Sequence, residues 1–168
     1  PVLGTDVSDD PLVDNEPATE PAAGDAESDA ERHGAAQRLS LLGVADRMKA
    51  AMKGSKEERA VLIRDPNKLV SVSVLSSPKL TESEVESFAK MANLSEEVLR
   101  IIGTNRAWTK NYGVLAALTK NPKTPLGVSL NFVQRLNERD LKLIAMDRNL
   151  QEPLKLAVRK RLVSPDRK

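Results

Sequence analysis

From about residue 38 to the end of the chain, apolar side chains recur at helical spacing, in short runs closed by proline or glycine. Leu41, Val44, Met48 and Met52 fall on one face of a first predicted helix, ended by Gly54. Ser55-Lys-Glu-Glu58 is a capping box that opens a second, with Ala60, Leu62 and Ile63 inward, stopped at Asp65-Pro66. A third spans about Asn67–Ser77 and stops at Pro78. Within it, Leu69-Val-Ser-Val-Ser-Val-Leu75 alternates with the period of a strand. Its neighbours are all helical, so the reading is a buried helix of poor intrinsic propensity. Thr81-Glu-Ser-Glu84 is another capping box, followed by Val85, Phe88, Ala89 and Met91 or Ala92 as inward positions. Ser95 caps the next helix, with Glu96 and Glu97 suiting its first turn and Val98, Leu99, Ile101 and Ile102 inward. Asn111–Asn121 ends at Pro122, and Thr124-Pro125 reads as an N-cap with proline at the first helical position. Asn137 caps 138–148, and Glu152–Val163 closes the chain with Leu154, Leu156, Val158 and Leu162 inward.

Two of these stretches resemble each other. Leu69–Thr81 and Gly113–Pro125 each run through an apolar helix to a proline followed by lysine, and the prolines, Pro78 and Pro122, stand 44 residues apart. Leu62-Ile-Arg-Asp65, Leu99-Arg-Ile-Ile102 and Leu143-Ile-Ala-Met-Asp147 are each followed by a turn and a further apolar helix. A period of about 43 residues, three helices to a unit, predicts units that stack and share a continuous core. The Leu62-Ile-Arg-Asp-Pro-Asn-Lys-Leu69 stretch and the Pro78-Lys-Leu-Thr81 and Asn121-Pro-Lys-Thr-Pro125 turns resemble the HEAT/armadillo-like α-solenoids, among them a set of uncharacterised bacterial HEAT-like proteins, over about residues 40–163. That resemblance implies an all-α, right-handed solenoid of about eight short helices over 38–165. It also implies a protein-binding scaffold, although some such solenoids bind nucleic acid, DNA glycosylases among them. A fold does not carry an activity with it.

Residues 1–37 break the pattern. They are rich in Pro, Ala, Asp and Glu and poor in apolar side chains, so a disordered acidic linker is expected there. The chain lacks an initial Met and a signal-peptide pattern, which reads as a fragment or processed product, and no run reaches the ~18 apolar residues of a membrane span. A cytoplasmic protein is expected.

The charge sharpens this division. The net charge of +2 is the sum of unlike parts: residues 1–31 hold ten acids and no Lys or Arg, so −10, while residues 32–168 hold all 26 Lys and Arg against the other 14 acids, so +12. A tethered polyanion beside a basic body meets it at high effective concentration, which makes the acidic segment an intramolecular ligand candidate.

The inventory of reactive groups is short. With no Cys and one His, thiol nucleophiles, disulfides and Cys-based zinc sites are impossible. His33 is read as a solvated linker residue rather than a catalytic or metal-binding one. The acids at helix starts are explained by capping, and neither a phosphate loop nor EF-hand spacing occurs. No enzyme activity, cofactor or metal is expected. A base-glycosylase reading would need a buried acid, Asp140 or Asp147, beside Trp108.

Candidate contacts remain in three equivalent turns: Arg64, Asn67 and Lys68; then Asn105, Arg106, Trp108, Lys110, Asn111 and Tyr112; then Arg148 and Asn149. Cations and amides there suit carboxylates or phosphates, and Trp108 and Tyr112, at i,i+4, could stack on a ligand. Two plainer readings stand beside this one. The asparagines cap helices, and Trp108 is an inter-helix wedge with Tyr112 bonded to a loop. The leading expectation is a non-catalytic scaffold for a protein or acidic partner, with a nucleic-acid-binding solenoid as the alternative.

Overall fold

The structure, a computed structural model, describes residues 23–164, with side chains from residue 29 onward. Among the described residues it is all-helical, without strands. The α-helices are α1 (Ala23–Ser40), α2 (Val44–Lys53), α3 (Lys56–Leu62), α4 (Lys68–Leu75), α5 (Glu82–Lys90) and α6 (Glu96–Thr104). They continue as α7 (Arg106–Thr109), α8 (Tyr112–Lys120), α9 (Leu126–Phe132), α10 (Glu138–Met146) and α11 (Glu152–Val163), with a 3-10 turn at Val133–Arg135. This exceeds the eight or so expected, and the unforeseen helices are α1 and the four-residue α7.

Local chemistry explains most boundaries. Ser55 with Glu58, and Thr81 with Glu84, form the two capping boxes as read. Asn67, Ser95, Asn105, Asn111 and Asn137 each accept a backbone N–H at a helix start. The alternating Leu69–Leu75 run is helical, within α4, and buries Val70, Ser71, Ser73, Val74 and Leu75. Ser73 returns its hydroxyl to the Leu69 carbonyl, so the polar positions of the run are satisfied inside the helix.

Four expectations need correction. The linker was expected to extend to residue 37, but residues 23–40 are helical, and residues 1–22 lie outside the described residues. The Ala, Glu, Gln and Arg residues of 23–40 favour helix, and among the described side chains of 29–40 only Ala35 and Leu39 are buried, too few to show a period. Leu41 is 88% exposed because it sits in the turn after α1. Leu156 is exposed because α11 buries Leu154 and Val158, and a residue two places along a helix points the other way. Thr124 does not cap α9. Pro125 holds that position, and the buried Thr124 hydroxyl has no hydrogen-bond partner among the described residues.

One apolar core runs through the described helices, from Leu39 on α1 to Val158 on α11. Helix α1 packs on α3, α2 on α4, α5 on α8 and α10 on α11. The two proline turns are built alike. Ser77, before Pro78, donates its hydroxyl to the Met52 carbonyl near the end of α2 at 2.9 Å, while Asn121, before Pro122, donates its amide to the Ala89 and Met91 carbonyls at the end of α5 at 2.8 Å each. Each then accepts the backbone N–H two residues on, from Lys79 and Lys123. The pairs α2–α4 and α5–α8 are thus tied by the same device at the same end. Between α6 and α9 the approach is close: a Cβ on Gly103 would lie 2.4 Å from Val128 Cγ1. Gly127, at the start of α9, faces open space instead.

Candidate functional site

Glu84 lines a groove between α1, α3 and α5, and Arg59 pairs with it from behind. They are almost fully buried, and the guanidinium meets the carboxylate in two parallel hydrogen bonds, Nε to Oε1 at 2.9 Å and Nη2 to Oε2 at 3.0 Å. Arg59 also donates to the Gly54 carbonyl, and Glu84 Oε2 also accepts from the Thr81 hydroxyl and backbone N–H. Both charges are spent internally, so the sign of the groove is set by what surrounds it.

That surround is basic. A hollow of about 320 Å³ lies between α1, α3 and α5, with Arg32, Lys56 and Arg64 on its walls, Ser83 and Ser87 along one side, and Phe88 and Met91 supplying apolar surface. A second hollow of about 470 Å³ shares Arg32 and Arg64 and extends along α1 past Asp29, His33 and Ala36 to Val61. Arg32 pairs with Asp29 at 2.9 Å with both side chains well exposed, and Arg64 bonds its Nε to the Ala60 carbonyl at 3.1 Å. Such exposed contacts are weak and leave guanidinium donors for another anion. His33 was read as a linker residue. It sits instead on helix α1 and lines the second hollow, exposed.

Arg64 is the one sequence candidate that this groove takes in. Asn67 accepts from the Leu69 N–H, Asn105 from the Ala107 N–H and Asn111 from the Gly113 N–H, so the capping reading accounts for these three carbonyl oxygens. Lys68 is exposed and, after Arg100, helps hold the Glu97 carboxyl below its ordinary value. Arg106, Lys110, Arg148 and Asn149 are exposed on their turns. No candidate hydrogen-bonds to a candidate of another turn among the described residues.

Trp108 and Tyr112 are both engaged by neighbouring helices, although Tyr112 stays 40% exposed. Trp108 is partly buried against the core. Tyr112 donates its hydroxyl to Asp140 and accepts the Asn137 N–H at 3.1 Å, joining the start of α8 to the start of α10. Lys120 pairs with the other oxygen of Asp140. Burial alone would raise the Asp140 carboxyl, but the hydrogen bonds from Lys120 and Tyr112 outweigh it and hold it below its usual value. Burial, and then the bond to Asp140, raises the Tyr112 phenol. Asp140 is therefore an ion-pair anchor. Asp147 accepts from the Asn149 N–H at 2.8 Å in its own turn.

The groove residues that the sequence did not single out are Arg32, Lys56, Ser83, Ser87, Phe88 and Met91. Phe88 and Met91 were visible only as core positions, and Arg32 was assigned to the linker. No helix among the described residues is long and apolar enough to cross a membrane, and no cluster of three or more metal-ligating side chains occurs among them. No protein-family model, curated protein or solved structure matches the chain.

Proposed function

We propose that the protein is a non-catalytic helical-repeat scaffold of the HEAT/armadillo-like, right-handed solenoid type, and that its α1–α3–α5 groove binds an acidic segment of a partner protein. The observation that carries the reading is the combination of Arg32, Lys56 and Arg64 around the apolar Phe88 and Met91, with the one acid of that hollow, Glu84, neutralised by Arg59. Three cations alone would attract any polyanion. Apolar surface between them favours a peptide carrying carboxylates on either side of an aliphatic side chain, because each part then has a matching surface. The shared construction of the Ser77 and Asn121 turns supports stacked units behind the groove.

The test uses a fluorescent peptide of about twelve residues with a Leu-Val pair flanked by Asp and Glu. Anisotropy should show binding at low salt that weakens toward ~0.15 M as the rim charges are screened, and Arg64→Glu should weaken it about tenfold. Binding unaffected by Arg64→Glu would remove the groove from the account. Equal or tighter binding of single-stranded DNA or RNA lost with the same substitution would replace it by a nucleic-acid reading.

A further inference from the structure

Helix α1 lines the groove and is also the element that joins it to the acidic end of the chain. Residues 1–22 carry six carboxylates and no Lys or Arg, and within them Asp9-Asp10-Pro11-Leu12-Val13-Asp14 places an aliphatic pair between acids. This is the peptide chemistry that the groove fits: acids for Arg32, Lys56 and Arg64, aliphatic carbon for Phe88 and Met91.

The tether is long enough. Arg32 lies nine residues into α1, about 14 Å along the helix at 1.5 Å per residue. Leu12 precedes Ala23 by eleven residues, which reach up to about 37 Å when extended. The segment can therefore double back along α1 and cover either hollow with length to spare. A ligand tethered at this range competes at an effective concentration in the millimolar region.

We infer that residues 9–16 of the chain occupy its own α1–α3–α5 groove and compete there with acidic segments of partners. The inference rests on the groove reading above and adds a regulator to it. Partner affinity is then set by how readily the internal segment is displaced, and binding rises when its acids are neutralised.

The test uses the full chain. Because the protein has no cysteine, Asn15→Cys gives a single site for a spin label. The label should broaden the backbone amide signals of Ser83, Ser87 and Met91 and leave those of α10 and α11 sharp. Unbroadened signals at all three groove positions would overturn self-occupancy. In parallel, the acidic Leu-Val peptide is titrated into the natural chain and into the D9N/D10N/D14N/E16Q variant. Self-occupancy predicts binding at least about fivefold tighter in the variant. Equal affinity in both, with binding still lost on Arg64→Glu, refutes the internal ligand and keeps the groove. Absence of binding in both chains refutes the two together.

Discussion

Ser77 and Asn121, 44 residues apart, perform one task at two places: each precedes a helix-ending proline and donates its side chain to carbonyls at the end of the helix packed alongside. Asn121 is the stronger tie, with two donor bonds and an acceptor, all within a residue that is 5% exposed. Asn121→Ala strands buried carbonyls and should cost about 2–3 kcal/mol, and Ser77→Ala about 1 kcal/mol. Urea unfolding of the two variants checks the order, and a larger loss at Ser77 would show that the two turns are not energetic equivalents.

Arg59 and Glu84 make a second expectation. With side chains 5% and 3% exposed, removing one partner leaves a buried charge. Arg59→Met alone should lose about 3–5 kcal/mol, while Arg59→Met with Glu84→Leu should recover most of it. A double variant as unstable as the single one would mean that the Gly54 and Thr81 contacts, rather than the ion pair, dominate.

The Asp140 cluster predicts pH limits on both sides. The Asp140 carboxyl is lowered in the folded protein, so its stabilisation is fully present above its unfolded value of about 3.9 and is lost as pH falls through the lower folded value. Tyr112 is raised, so its contribution is present below about 10 and is lost as pH climbs through the folded value. Thermal melts of Tyr112→Phe against the natural protein should converge at high pH and differ most near neutrality. Lys120→Met should blunt the acid limb, by no more than about 1 kcal/mol given the partly exposed lysine. A Tyr112→Phe melting difference that does not change with pH would contradict the assignment.

Gly103 is held by its neighbour. A methyl there would overlap Val128, so Gly103→Ala should destabilise by about 1–3 kcal/mol in spite of its better helix propensity. Val128→Ala in the same chain should relieve much of that loss. Chemical denaturation of the three variants gives the coupling, and additive losses would show that the two side chains do not compete for the space.

Most helix starts of this fold were legible because their punctuation is chemical. Ser55, Thr81, Ser95, Asn111 and Asn137 announce helix starts through hydrogen bonds that involve only neighbouring residues. Helix α1 was not legible, since two buried side chains among its described residues 29–40 leave no apolar stripe to read. The same limit hid most of the groove. Arg32, Lys56 and Ser83 come from three helices, and only tertiary packing brings them to one hollow. Arg64 stands out in the sequence for its place in a turn, and the one amide beside it, Asn67, is occupied by capping α4.

The proposed recognition turns on the sign of the groove at Arg64. The most direct measurement is a charge swap: the acidic Leu-Val peptide, and a twin with lysine at every acidic position, are titrated into the natural chain and into Arg64→Glu. The natural chain should prefer the acidic peptide, and Arg64→Glu should weaken that peptide by about tenfold while tightening the lysine twin. Unchanged affinity for both peptides on Arg64→Glu would contradict a basic groove for acidic segments.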